Sequence, residues 1–174
     1  MNGAQISAGG AGGIGTLPSG WTVAGTGDFN KDGKTDILFH HRSGAVAIWF
    51  MNGLQVSQYG SGPSAGSVWS VVATGDFNGD GYSDILWRDG TNDIAVWLMQ
   101  GTSIFQAGGI GNVGSNWTVA QTGDFNGDGK SDILWRDTTG GNIAMWYMNG
   151  TSVSQYVGAG SVSLSWTIQG ANAD

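Results

Sequence analysis

Apolar positions in this chain fall in short runs, each closed by Gly, Asn, Asp or Ser, and none holds a 3.6-residue period long enough for a helix. One run, "WTVAGTGDF", is rich in small residues. A second, "SDILWR", is short. A third, "IAVWLM", is apolar at every position, as expected of a strand buried on both faces. A fourth, "TSIFQ", alternates. Four strands in this order are predicted, and the order recurs. "WTVAGTGDFN" begins at Trp21, "WSVVATGDFN" at Trp69 and "WTVAQTGDFN" at Trp117, spaced by 48 and 48 residues. "WTIQGANAD" opens a further start at Trp166, 49 residues on. The second half repeats as well, in "AIWFMNGLQVSQ", "AVWLMQGTSIFQ" and "AMWYMNGTSVSQ", and "MNGAQIS" at the N-terminus matches its end. Asn52-Gly53 and Asn149-Gly150 separate strands three and four. Asn-Gly is a strong hairpin signal and predicts φ > 0 at both positions.

A repeat of about 40–50 residues carrying four strands is a β-propeller blade. A β-solenoid is the alternative, although its coils are usually shorter. The expected fold is all-β, a β-propeller of four-stranded blades. Residues 21–68, 69–116 and 117–165 are whole units, and 1–20 and 166–174 are partial ones. Propellers close with roughly 4–8 blades, so a homodimer completing a ring of about six to eight is expected, because open blades leave apolar faces and strand edges bare.

Composition sharpens this picture. The 174 residues include 33 Gly, 9 Trp, no Cys and no Glu, so all 13 acidic residues are Asp. Without Cys there is no disulfide frame, thiolate site or Cys nucleophile. The formal net charge of −7 argues against a nucleic-acid partner. No apolar run reaches the roughly 20 residues of a membrane span, and the first residues lack the basic start and apolar core of a signal peptide.

The acidity is concentrated. Nine of the 13 Asp lie in "DFNKDGKTD" from Asp28, "DFNGDGYSD" from Asp76 and "DFNGDGKSD" from Asp124. Each reads D-x-N-x-D-G-x-x-D. Hard oxygen donors at alternate positions of a tight loop suit Ca²⁺, with the position-6 glycine permitting the turn. The three predicted sets are Asp28, Asn30, Asp32, the Lys34 carbonyl and Asp36; Asp76, Asn78, Asp80, the Tyr82 carbonyl and Asp84; and Asp124, Asn126, Asp128, the Lys130 carbonyl and Asp132. An EF-hand is excluded, because strands flank the loop and its twelfth position is Trp135 rather than Glu. Mg²⁺ prefers a rigid octahedron with several waters, and Zn²⁺ prefers His or Cys. A metal-free Asp/Gly turn is the remaining alternative. About three structural Ca²⁺ per chain would offset most of the −7 charge.

"TGDFNGDGKSDILW" resembles the FG-GAP/VCBS repeat of integrin α-like propellers, secreted bacterial proteins and Psathyrella velutina-type lectins. The resemblance spans almost the whole chain. It implies a propeller with structural Ca²⁺ in its hairpins, an extracellular or secreted location, and either sugar binding between blades or an adhesion or scaffold role. Lys31 stands where the other loops have Gly, and the terminal "GANAD" lacks a fourth loop.

Chemistry beyond the loops is sparse. His40 and His41 occur in one unit only, and no nucleophile-base arrangement accompanies them, so no enzyme activity is expected. Trp49, Trp97 and Trp146, with Trp21, Trp69, Trp117 and Trp166, read as core between units. Trp87-Arg88-Asp89 and Trp135-Arg136-Asp137 combine an aromatic face with polar groups, as sugar recognition needs, and His40-His41 holds the corresponding place in the first unit. The alternative is that these Trp pack and the Arg-Asp pairs lie at the surface; the variable segments before each opening Trp, "GSGPSAGSV", "GGIGNVGSN" and "GAGSVSLS", are alternative ligand sites. The expected partner is a carbohydrate or glycoprotein. The other reading is a non-catalytic scaffold or adhesion module from a larger secreted protein.

Overall fold

A computed structural model describes residues 15–169. The N-terminal match "MNGAQIS" and the terminal "GANAD" lie outside the described residues. Twelve strands form three antiparallel four-stranded sheets, with no helix among the described residues. The first unit holds β1 (Trp21–Gly27), β2 (Asp36–His41), β3 (Ala45–Asn52) and β4 (Gln55–Ser64). The second holds β5 (Trp69–Gly75), β6 (Asp84–Asp89), β7 (Asp93–Gln100) and β8 (Ser103–Asn112). The third holds β9 (Trp117–Gly123), β10 (Asp132–Asp137), β11 (Asn142–Met148) and β12 (Val153–Ser161). In every sheet the strands pair in chain order, the up-and-down topology of a propeller blade.

The sheets stack face to face. Leu38, Val46, Ile48 and Phe50 of the first sheet pack on Ile85, Trp87 and Met99 of the second. Leu86, Val96 and Leu98 of the second pack on Ile133, Trp135 and Met148 of the third in the same way. Burial of the third strand is uneven: β3 is buried from Val46 to Met51, its second face covered by Leu17, Trp21 and Phe39 of its own unit, while β7 keeps Ala95 and Trp97 half-buried and β11 is half-buried from Ala144 to Tyr147, short of the burial on both faces that the sequence predicts. The first strands lie side by side, β1 against β5 and β5 against β9. Small residues permit that approach, and threonines stitch it: Thr74 Oγ1 donates to the Thr26 carbonyl and Thr122 Oγ1 to the Thr74 carbonyl, each at 2.7 Å.

Two further expectations need correction. Neither Asn52 nor Asn149 takes φ > 0: Asn52 stays in β3, the turn falls on Gly53-Leu54, and only Gly53, at +62°, and Gly150, at +64°, have positive φ at these two turns. Positive φ at the first central residue alone is the pattern of a type II′ turn rather than I′. The cause is register, because Asn52 pairs with Gln55 and leaves two residues for the loop. The start at Trp166 also forms no strand as far as Gln169, and Trp166 is exposed.

Candidate functional site: acid loops and tryptophan cages

Each acid loop joins the first and second strands of its unit. Glycine at position 6 is required there: Gly33, Gly81 and Gly129 have φ of +79°, +89° and +83°, where a side chain would be strained. The Asp at position 1 organises the turn. Asp76 Oδ1 accepts the N–H groups of Gly79 and Asp80, and its Oδ2 accepts that of Gly81. Asp124 does the same for Gly127, Asp128 and Gly129. Asp28 accepts only from Asp32 and Gly33, and Lys31 between them is forced to φ +61°. The Asn at position 3 accepts from the N–H of position 5 in all three loops, at Asn30, Asn78 and Asn126. Asp32, Asp80 and Asp128 in turn accept from the N–H groups of Lys34, Tyr82 and Lys130.

The Asp at position 9 is different. Asp36, Asp84 and Asp132 are fully buried. One carboxylate oxygen takes the N–H of Phe29, Phe77 or Phe125 in the loop, and the other that of Met51, Met99 or Met148 in the third strand. This side chain therefore clamps loop to sheet. Burial raises all three pKa values against those hydrogen bonds, and the other loop acids add to the rise; Asp84 reaches about 7.

Counter-charge is scarce. Lys34 pairs with Asp32 at 3.0 Å and Lys130 with Asp128 at 3.6 Å. The second loop has no ion pair among the described residues; Lys31 reaches it only through the Asp80 carbonyl and over the Tyr82 ring. Among the described residues no three acidic or histidine side chains are drawn into one metal-binding cluster. The donor set nevertheless fits a hard cation. A carboxylate offers about four lone-pair sites, so the two or three N–H donors on each loop acid leave room for a cation.

The loops also bind the neighbouring unit. Ser83 N donates to the Asp28 carbonyl and Gly101 N to that of Phe29. Ser131 and Gly150 repeat this on Asp76 and Phe77. Nothing in the loop sequence announces this contact; the 48-residue repeat, followed one unit ahead, is the only signal that could.

The Trp-Arg-Asp segments do not form one surface. Trp87 and Trp135 are each 1% exposed. Arg88 reaches across the seam to the carbonyls of Val113, Gly114 and Trp117 and to Asn92 Oδ1. Arg136 likewise holds the Ser163 carbonyl. Asp89 caps its own turn through Thr91 and Asp93. Asp137 accepts from Thr139, Asn116 and Asn142, and these bonds hold its pKa well below the usual carboxylate range. His41 caps the equivalent turn through Ser43. His40 sits edge-on to Trp87 at 5.4 Å, and burial keeps its pKa low.

The indoles instead build cages, each walled in part by the segment that precedes the opening Trp. Trp87 lies opposite Val71 and Ala95, which places Trp69 and Trp97 diagonally on the same face. With Ala65 they enclose about 150 Å³. In the third unit Trp117, Trp135, Ala144 and Trp146, with the connector at Asn112, Val113 and Gly114, enclose about 220 Å³. The cage partners are legible only once strand register is known.

Three stacked, four-stranded, up-and-down sheets with a shared acid loop define a segment of a β-propeller. A family model for the FG-GAP-like repeat matches residues 28–87 and again 76–135, more than half of the chain between them. The chain belongs to the FG-GAP-like repeat family, whose repeats are typical of extracellular proteins. No curated protein matches it.

Proposed function

We propose that this chain is a calcium-stapled, non-catalytic binding module that works outside the cell. The observation that carries the reading is the acid loop, present three times with three Asp each and at most one lysine ion pair apiece. A divalent cation held by positions 1, 3, 5 and 9 and the position-7 carbonyl would remove that repulsion. It would also fix the loop carbonyls that bond the next unit, so its role is to hold seams together. Tb³⁺, an oxygen-seeking stand-in for Ca²⁺, tests this. Luminescence sensitised by Tyr82 and displaced by Ca²⁺ is expected; no sensitised emission at any Tb³⁺ level would refute it.

Carbohydrate is the ligand class we assign to the module, with repetition of weak sites supplying avidity. Exposed Tyr59 and Tyr156, each edge-on to a buried or half-buried Trp, favour it, because they offer an aromatic face and a hydroxyl together. A glycan array with Ca²⁺ present tests it, and silence on every glycan leaves a scaffold or adhesion role. The ring is completed by further blades, here from a second copy. Leu134, Met145 and Tyr147 stay partly exposed where Leu86, Val96 and Leu98 of the second unit are covered. Light scattering should find a dimer; a stable monomer contradicts it.

A further inference from the structure

The joints between units are built twice from the same parts. The acid loop of one unit offers two backbone carbonyls to the next. Asp28 and Phe29 accept from Ser83 N and Gly101 N, and Asp76 and Phe77 from Ser131 N and Gly150 N. The first strand adds a third bond, from Thr74 Oγ1 to the Thr26 carbonyl and from Thr122 Oγ1 to the Thr74 carbonyl. Acceptors therefore lie on the face a unit turns forward along the chain, and donors on the face it turns back.

The first and third units each keep one half of this set. The forward face of the third unit carries the Thr122, Asp124 and Phe125 carbonyls, which take none of these bonds among the described residues. Phe125 is 38% exposed there, whereas Phe29 and Phe77 are fully buried. The backward face of the first unit carries Thr26 Oγ1, Thr35 N and Gly53 N, at the places of Thr74, Ser83 and Gly101. None of them makes the corresponding bond to a described residue. Ile37 is half-buried on that face, whereas Ile85 and Ile133 are fully buried. Three acceptors on one face thus match three donors on the other. Either face laid against its own copy would set like groups together and bury them unpaired, which is costly.

One corner does not repeat. Gly60 of β4 lies opposite Ile48, and Gly108 of β8 opposite Val96. A Cβ on Gly60 would collide with Thr102 of the next unit, and one on Gly108 would lie 2.9 Å from Thr151 Cβ. The third unit has Val157 at this place, opposite Met145. The first unit has Leu54 at the place of Thr102 and Thr151, and it is 79% exposed. Glycine meets threonine in the joints within the chain, and the two outer faces set valine opposite leucine. A joint that includes Val157 must stand wider at this corner, and Leu54 has the longer side chain that fills the gap.

We propose that the forward face of the third unit binds the backward face of the first unit of a second copy. The Thr122, Asp124 and Phe125 carbonyls accept from Thr26 Oγ1, Thr35 N and Gly53 N of that copy, and Val157 packs on its Leu54. This rests on the ring-completion reading above and adds which faces meet and through which groups. The contact is head-to-tail, and two such joints close two copies into a ring of six whole units, three from each. Six lies within the roughly 4–8 blades that close a propeller.

Disulfide trapping reads the pairing directly, because the chain has no Cys. Leu54→Cys and Val157→Cys chains are mixed with Ca²⁺ present, allowed to exchange and mildly oxidised. The mixture should give a 54–157 disulfide, located by mass spectrometry, and neither variant alone should give a comparable product. Leu54→Asp places a charge in the joint at a position that is exposed in the single chain. It should raise the dimer dissociation constant at least about tenfold and leave the circular dichroism spectrum unchanged. Three results overturn the proposal: a 54–54 or 157–157 disulfide as the main product, a dimer by light scattering that yields no 54–157 disulfide, or an undiminished dimer with Leu54→Asp. Each of these leaves a dimer standing and removes this pairing. A monomer at every concentration removes the ring-completion reading as well.

Discussion

The acid loops and the tryptophan cages lie in the same blades and have opposite problems. A loop has more negative charge than its surroundings neutralise, and its backbone N–H groups are spent on its own carboxylates. A cage has no charged wall, opens to water between half-buried indoles, and holds one fully buried indole whose N–H has no acceptor among the described residues. The loop can be assembled by nine consecutive residues. The cage needs three strands and a connector. The loop should therefore govern stability, and changes within the cage should disturb it far less.

Chelation should break this comparison most visibly. A ligand that binds only the folded state adds about 2.7 kcal/mol per site at a hundredfold excess over Kd. Three loops multiply that, so EDTA should lower the melting temperature by many degrees, read by circular dichroism. Next in size is Asp84→Asn. The amide cannot accept from both Phe77 N and Met99 N, so one buried N–H is stranded at a cost of about 1–3 kcal/mol even without calcium. Denaturant melts in EDTA isolate that part. Asp137→Asn should cost less, since several of its donors can rearrange. Its pKa is depressed on folding, so its contribution is present above the unfolded value of about 3.9 and disappears as pH falls through the lower folded value. The gap between wild type and variant should accordingly close in acid melts. Smallest is Trp135→Phe, which removes an unpaired donor while enlarging a cavity. Stability should change by no more than about 1 kcal/mol. A large loss would mean that the cage, too, is structural.

The sequence made the loops legible because their geometry is local. Asp124, Asn126, Asp128 and Gly129 sit within six residues, and the position-6 glycine takes the positive φ its place requires. The blade was legible because its period recurs three times. Arg88 was not, since its acceptors lie 25 to 29 residues ahead in another unit. Trp87 and Trp135 carried an aromatic signal, but whether they face solvent depends on pairing with Ala95 and Ala144, which a run of letters does not encode. Asn52-Gly53 misled for a related reason, because the β3–β4 register moved the turn by one residue.

Isothermal titration of Ca²⁺ into the metal-free full chain tests the central claim most directly. About three ions per chain should bind, and Asp76→Ala should remove one of them. Absence of binding heat, together with a melt unchanged by EDTA, would contradict the claim and leave the loops as metal-free turns.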